Sequence, residues 1–225
     1  MARSPFEDAR DRMHDALERA HHPAISCSFQ PGGVAVLHLM GERRRGVPVL
    51  FVDTGYHFQE TLEFKERITA LWALDVRSVR TQQSPESQQE YVGPLYRTNP
   101  DQCCEDRKTR PLFAALESHD TWITGLRRGQ AASRRDSQVV ERRILPSGRV
   151  ITKVNPIVDW TEAELEAYMA IYDIPVHPLL GIGYSSIGCA PCTARAALGS
   201  RSGRWAGAKT ECGLHTNLNV VDVDA

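Results

Sequence analysis

The reactive and metal-binding potential of this chain is concentrated in its six cysteines. Cys103 and Cys104 are adjacent, and Cys189-Ala190-Pro191-Cys192 forms a C-x-x-C far downstream. Four thiolates from two loops can enclose one metal centre, and soft sulfur ligands select an iron-sulfur cluster or zinc. Structural zinc sites usually take ligands from C-x-x-C-like knuckles, whose spacer lets the chain curl round a single ion. A tandem Cys-Cys suits that geometry poorly, whereas the separate irons of a cubane can each take one of two neighbouring cysteines. Spacing therefore favours iron-sulfur over zinc. A third reading makes Cys189 and Cys192 a thioredoxin-like redox pair, with Cys103 and Cys104 as incidental core thiols. That reading needs the motif to open a helix just after a strand, and here it follows the loop-like Gly183-Tyr184-Ser185-Ser186-Ile187-Gly188.

The other two thiols sit in contrasting surroundings. Cys27 lies in the apolar run 24–28, where a cysteine is usually a buried, inert core residue. Cys212 lies in Glu211-Cys212-Gly213-Leu214-His215, near the chain end and beside a glycine. A thiol there can swing into a site as a nucleophile, provided that cations favour its thiolate; alone, it reads more readily as a spare surface thiol. His215 could orient the tail or assist the thiolate, although a histidine three residues away is more often a bystander.

Cations are supplied at several places. Arg107 and Lys108 follow the cysteine pair, Arg201 and Arg204 lie between the C-x-x-C and Cys212, and residues 127–153 hold eight basic residues against Asp136 and Glu141. Arginine forks recognise phosphate and sulfate through paired hydrogen bonds. The plainer reading, a solvated face, is preferred for Arg142, Arg143 and Arg149 on an expected hairpin, and RNA binding is a weaker alternative. Arg127 and Arg128 follow an expected strand end at Thr124-Gly125 and are better placed for a ligand.

The elements that must position these groups are legible from pattern. Residues 4–20 read as a helix, with Ser4 as N-cap, Pro5 in the first turn and Glu7 completing a capping box. Apolar runs at 24–28, 47–52, 76–79 and 121–124 alternate with helical patterns at 34–40 and 59–72, which implies βαβ units and a buried parallel sheet. Ligands on such sheets sit beyond the carboxyl ends of the strands. Here those ends include the turn 28–33 and Asp53-Thr54-Gly55. A hairpin turning at Pro146-Ser147-Gly148 joins 139–145 to 149–154, and Thr161 to Glu164 caps a helix reaching about residue 172. After Pro175, glycine and proline leave little room for regular structure.

Bulk properties narrow the class. The chain is 41% hydrophobic and 24% charged, with a net charge of -1. That suits one globular core and argues against a dedicated nucleic-acid or membrane-surface protein. With no membrane-length apolar run and no apolar signal segment, a cytoplasmic location is expected.

Several segments together resemble the assimilatory adenylylsulfate (APS) reductases of the sulfonucleotide reductase family: Val52 to His57, Cys103-Cys104 with Arg107-Lys108, Thr124 to Arg128, Lys153 to Pro156, Ile187 to Thr193, Ser202 to Trp205 and Lys209 to His215. The resemblance implies an α/β fold of the adenine-nucleotide α-hydrolase-like (Rossmann-like) type, with a mainly parallel sheet flanked by helices. Residues 1–205 would form a single nucleotide-binding domain and 206–225 a mobile tail. It further implies one 4Fe-4S cluster on Cys103, Cys104, Cys189 and Cys192, and Cys212 as the nucleophile. Cys212 would attack the sulfate sulfur of APS to give AMP and an S-sulfocysteine, from which thioredoxin releases sulfite. The cluster would act electrostatically through Lys108. Ser28, Thr54 and Gly125 would line the nucleotide pocket, and Lys108, Arg127, Arg128, Arg201, Arg204 and His215 would meet the substrate. No nucleic-acid or membrane partner is implied, and a homo-oligomer is left open. The turn Gln30-Pro31-Gly32-Gly33 lacks the acidic residue usual there, and lacks the Ser-Gly-Gly-x-Asp-Ser loop that binds ATP pyrophosphate in related enzymes. Rival readings are reduction of 3'-phosphoadenylyl sulfate (PAPS) and a non-catalytic iron-sulfur sensor or RNA-binding protein.

Overall fold

Short runs of Val, Ile, Leu and Trp that are apolar on both faces can be buried only in a sheet covered on both sides. In the computed structural model, which describes residues 3–197, 201–209 and 211–221, such runs form the centre of a sheet of seven strands, with more polar strands toward its edges: β1 (Pro23–Ser26), β2 (Val49–Val52), β3 (Val76–Val79), β4 (Thr121–Thr124), β5 (Val140–Ile144), β6 (Val150–Val154) and β7 (Val220–Val221). The order is β3-β2-β1-β4-β6-β5-β7. Strands β3, β2, β1, β4 and β6 run parallel, while β5 is antiparallel to both β6 and β7. The 139–154 segment is therefore a hairpin whose second strand extends the parallel sheet.

The helices are α1 (Pro5–Arg19), α2 (Pro31–Leu39), α3 (Gln59–Trp72), α4 (Pro85–Val92), α5 (Leu95–Thr98), α6 (Pro100–Cys104), α7 (Arg110–Leu116) and α8 (Glu162–Ile171). Both expected capping boxes form: Ser4 accepts from the Glu7 amide and Thr161 from the Glu164 amide, with each glutamate returning to its cap. Alternate strand residues enter two cores. Ile25, Val49, Phe51 and Ile123 join residues of α1, α2, α3 and α8 on one face. Ala24, Leu50, Trp122 and Ile151 join α7 and Leu218 on the other. Successive connections go one way from β1 to β2 and β3, then return to place β4 on its other side. The crevice between the ends of β1 and β4 is thus the topological switch point of the sheet.

That crevice is held together by backbone contact. A Cβ on Gly125 would lie 2.5 Å from the Gly32 carbonyl carbon, and one on Gly33 would lie 2.8 Å from Cys27 Sγ. Only glycine lets the turn before α2 seat so closely on the end of β4.

Candidate active site

A cavity of about 680 Å³ opens at the switch point. Its floor is formed by Ser26 to Ser28 after β1, Gln30 to Gly33 at the start of α2, Thr54 and His57 after β2, and Thr124 to Arg127 after β4. Residues of α8 also line it, as do Lys108, Arg134, Arg201 and Arg204 with Cys212 and His215. Because α2 begins at this floor, the free amides of its first turn favour an anion there. Gln30, in the turn that lacks the usual acidic residue, makes no cap bond and instead accepts the Ile187 amide at 3.2 Å. It therefore ties the floor to the loop before Cys189.

A second, much smaller cavity adjoins the first. Cys103, Cys104, Cys189 and Cys192 all line it, with Tyr56, Tyr96, Arg107, Lys108 and Trp205. All four thiols are at most 8% exposed, and none forms a disulfide. Cys103 and Cys104 end α6, where the chain widens into a π-helical turn, Glu105–Thr109, that carries Arg107 and Lys108. Such turns often mark functional sites. Arg107 is buried and structural: Nε donates to Gln88, Nη1 to the Thr54 carbonyl and Nη2 to the Gln83 carbonyl. The downstream pair is held by a bridge between His57 and Cys189, by the Ala190 amide donating to the Tyr56 carbonyl at 2.7 Å, and by Thr54 Oγ1 at 3.3 Å from Cys189 Sγ. Among the described residues no three His, Cys, Asp or Glu side chains gather as a site for a single ion. Four buried thiols lining one cavity are a soft donor set of the kind that an iron-sulfur cluster takes.

Lys108, Thr54, Cys189 and Trp205 line both cavities. Burial opposes charge on Lys108, but the neighbouring sulfurs of Cys189, Cys212 and Cys104 outweigh it and hold its pKa above the usual lysine value. Conversely, burial would raise the Cys189 thiol, yet Lys108 and the Thr54 hydroxyl bring it down. Cys103, without comparable help, is pushed up to about 12 by burial and then by the other three sulfurs. Lys108 is thus the counter-charge at the wall between the two cavities.

The structure gathers most of the expected substrate residues. Ser28, Thr54, Lys108, Gly125, Arg127, Arg201, Arg204, Cys212 and His215 all line the large cavity. Arg204 is 5% exposed and lies with its guanidinium 4.4 Å from the centre of the Trp205 ring. Gly188 makes room for it, since a Cβ there would lie 2.0 Å from Arg204 Nη2. Among the described residues, Arg127 Nε, Arg204 Nε and Trp205 Nε1 are buried donors without a partner, the kind of group that a bound anion satisfies. Arg128 is the exception. It is not among the lining residues, and its Nε donates to the Ser137 carbonyl at 2.8 Å.

The basic stretch 127–153 is more internally neutralised than its sequence suggests. Arg127 pairs with Glu162, Arg134 with Glu211, and Arg143 and Lys153 with Glu141. Arg143, expected in solvent, is instead buried and also donates to the Leu218 carbonyl at 2.6 Å. The hairpin thereby grips the tail, which continues into β7 along β5.

Cys212 packs at the edge of the cluster formed by Cys104, Cys189, Cys192 and Trp205. Gly213 beside it has φ +90 and leaves no space for a Cβ against Asn217. His215 stacks on Trp122 with ring centroids 5.7 Å apart and planes 11° apart. Burial, followed by Lys153, Arg134, Arg201 and Arg143, holds His215 well below the usual histidine value, so it is neutral near pH 7. Of the expected tail, Thr210 and residues 222–225 lie outside the described residues. Arg134, Glu211, Gln30 and Trp205 fall in stretches the sequence singles out, namely the basic run 127–153, the segment Lys209 to His215, the turn 28–33 and the segment Ser202 to Trp205, but sequence reasoning gave none of them a role of its own in this site.

A doubly wound α/β fold with a cavity at its switch point lined by lysine and arginine is an architecture that nucleotide-binding proteins use, and thiols beside that cavity point to chemistry on sulfur. Residues 22–195 match the phosphoadenosine phosphosulfate reductase domain, and the chain belongs to that family. It is 42% identical over 186 residues to an adenosine 5'-phosphosulfate reductase of Mycobacterium tuberculosis, covering 81% of this chain and 72% of the relative. It is 39% identical over 197 residues to that of Rhodococcus opacus, covering 86% and 78%. The structure superposes on a phosphoadenylyl-sulfate reductase from Candida auris with a TM-score of 0.72 and 24% identity, over 83% of this chain and 90% of that one. It also superposes on an FMN adenylyltransferase of Candida glabrata with a TM-score of 0.64 and 12% identity, over 85% and 64%. Both superpositions show a shared fold.

Proposed function

We propose that this protein reduces adenosine 5'-phosphosulfate to sulfite and AMP, with Cys212 as nucleophile. Support comes from the relatives above and from one feature of the site: Cys212 stands where a cation-rimmed cavity at the nucleotide switch point meets a cavity lined by four cysteines. The nucleotide lies over the glycine floor, and its phosphosulfate meets Lys108, Arg201 and Arg204. The thiolate of Cys212 attacks the sulfate sulfur. An S–S bond forms, the S–O bond to phosphate breaks, and AMP leaves with the electron pair. The cations stabilise the charge that develops on the leaving oxygen. A thiolate of reduced thioredoxin then attacks Cys212 Sγ, sulfite departs with the electrons of the S–S bond, and thioredoxin's second thiol frees Cys212 as thioredoxin becomes a disulfide. This second step requires the tail, 206–225, to leave the cavity.

Cys103, Cys104, Cys189 and Cys192 would hold a 4Fe-4S cluster. When bound, it supplies a fixed negative charge that orients Lys108. Lys108 itself presents its ammonium to the substrate, and Trp205 shields the wall between the cavities from water.

Because one structural relative is a phosphoadenylyl-sulfate reductase, the 3'-phosphorylated nucleotide is the rival substrate. Anaerobically purified protein with thioredoxin is expected to form sulfite from APS with a kcat/KM at least about tenfold above that for PAPS. A preference for PAPS would overturn the substrate assignment, and the absence of sulfite from either would overturn the function.

A further inference from the structure

The residue before Cys212 makes the best-satisfied ion pair in the tail. Glu211 Oε1 accepts from Arg134 Nε at 2.6 Å and Glu211 Oε2 from Arg134 Nη2 at 2.7 Å, a paired fork in which the side chains are 10% and 7% exposed. Ser133 Oγ adds a third bond to Oε1 at 3.1 Å, and Arg201 Nη2 stands 3.8 Å from Oε2. Arg134 is itself fixed. Its Nη1 donates at 2.6 Å to Gln130 Oε1, which also accepts the Arg127 amide at the end of β4. A continuous set of hydrogen bonds therefore runs from the strand end through Gln130 and Arg134 to the residue that carries Cys212.

We infer that Arg134 and Glu211 are positioning residues that latch the tail shut with Cys212 in the cavity. The inference rests on the assignment of that cavity as the substrate site. Burial makes the closed state depend on both partners: removing one leaves the other desolvated and unpaired in the cavity, which shifts the tail toward the open state. The pair between Lys209, two residues before Glu211, and Asp101 provides a contrast, because Asp101 is 85% exposed and such pairs contribute little. The latch also divides the labour of the cations. Arg134 lines the cavity, but its donors are occupied by Glu211 and Gln130, which leaves phosphosulfate binding to Lys108, Arg201 and Arg204. Opening for the reductant breaks the latch, and closing for the next attack restores it.

The test is the rate at which N-ethylmaleimide alkylates Cys212 in the substrate-free holoprotein, followed by peptide mass spectrometry. This rate reports the latch whether or not Cys212 proves to be the nucleophile. Glu211→Gln, which keeps the shape and removes the charge, is expected to speed alkylation on the order of tenfold, and Arg134→Gln to do the same. The double variant should be no faster than either single one, because all three lose the same contact. Asp101→Asn should leave the rate within about twofold. In single-turnover assays, Glu211→Gln should slow sulfonation of Cys212 while leaving the affinity for AMP unchanged. The inference is overturned if Glu211→Gln leaves Cys212 as protected as before, if Asp101→Asn exposes it equally, or if Glu211→Gln weakens AMP binding as much as it slows sulfonation. Should Arg134→Gln fail to fold, Glu211→Gln against Asp101→Asn still decides the matter.

Discussion

Cys27 and Cys212 both line the large cavity, and the regions carrying them differ in nearly every physical respect. Cys27 belongs to the floor. It is 3% exposed, accepts the Phe29 amide at 3.3 Å and is pushed up to about 12 by burial, which that hydrogen bond only partly offsets. Gly33 presses against its sulfur, and the strand behind it is central in the sheet. Cys212 belongs to a segment with almost no secondary structure of its own. It is half-buried, and side chains hold its segment in place: Glu211 on Arg134, His215 on Trp122, and the Leu218 carbonyl on Arg143. Facing a ligand is thus insufficient for chemistry. A thiol locked in an apolar floor supports the fold, whereas one held by breakable polar contacts among cations can react and withdraw.

The sharpest way to break this contrast is to remove each sulfur in turn. Cys212→Ser should lower sulfite formation by at least about a thousandfold, since the nucleophile itself is lost. Comparable sulfite formation by that variant would end the distinction.

The next effect tests whether the floor is built for close approach. Gly125→Ala places a methyl against the backbone of Gly32 and Gly33, at 2.5 and 2.6 Å. The turn must shift, at a loss of about 1–3 kcal/mol in stability, and AMP affinity should fall on the order of tenfold by calorimetry. Unchanged affinity would mean that the floor is not the nucleotide seat.

A pH titration reads the contribution of a buried histidine remote from Cys212. His177 is 1% exposed; its Nδ1 accepts the Leu179 amide, and its Nε2 lies 3.0 Å from Thr61 Oγ1. Burial, only weakly opposed by Glu60, brings its pKa down to about 4. The unfolded chain therefore binds a proton before the folded one does. Stability is complete above about pH 6.5 and declines as the pH falls toward 4, by up to about 3 kcal/mol. Urea unfolding between pH 7 and pH 4 should show this loss, and His177→Gln should flatten that part of the profile.

The smallest change is expected at the floor thiol. Cys27→Ala removes the acceptor of the Phe29 amide and leaves a small void, at a loss of about 1–2 kcal/mol. Sulfite formation should stay within a few-fold of the parent.

The parts legible in the sequence are those in which local pattern and global burial agree. Strands β3 and β4 fall where the apolar runs lie, α3 occupies its full amphipathic stretch, and both capping boxes mark real helix starts. The stretch from Pro85 to Leu116 was not readable as helices because α4 to α6 are short and polar, held by Arg107 and by loops distant in sequence. The C-x-x-C and tandem cysteines announced a shared centre through their chemistry, and the structure brings them to one cavity. The reach of Glu211 to Arg134 and the burial of Arg143 could not be seen, because a charge in a sequence carries no mark of the partner it will meet. Arg128 shows the converse. It stands beside Arg127 in the chain, yet one residue faces the cavity and the other braces a loop.

The claim that Cys212 attacks sulfate sulfur is tested most directly by mass spectrometry of the intact holoprotein after exposure to APS without thioredoxin. One added SO3 group on the peptide containing Cys212, absent from the Cys212→Ser variant and removed as sulfite when thioredoxin is supplied, is the expected result. The same group found on any other cysteine, or sulfite released with no protein-bound intermediate, would contradict it.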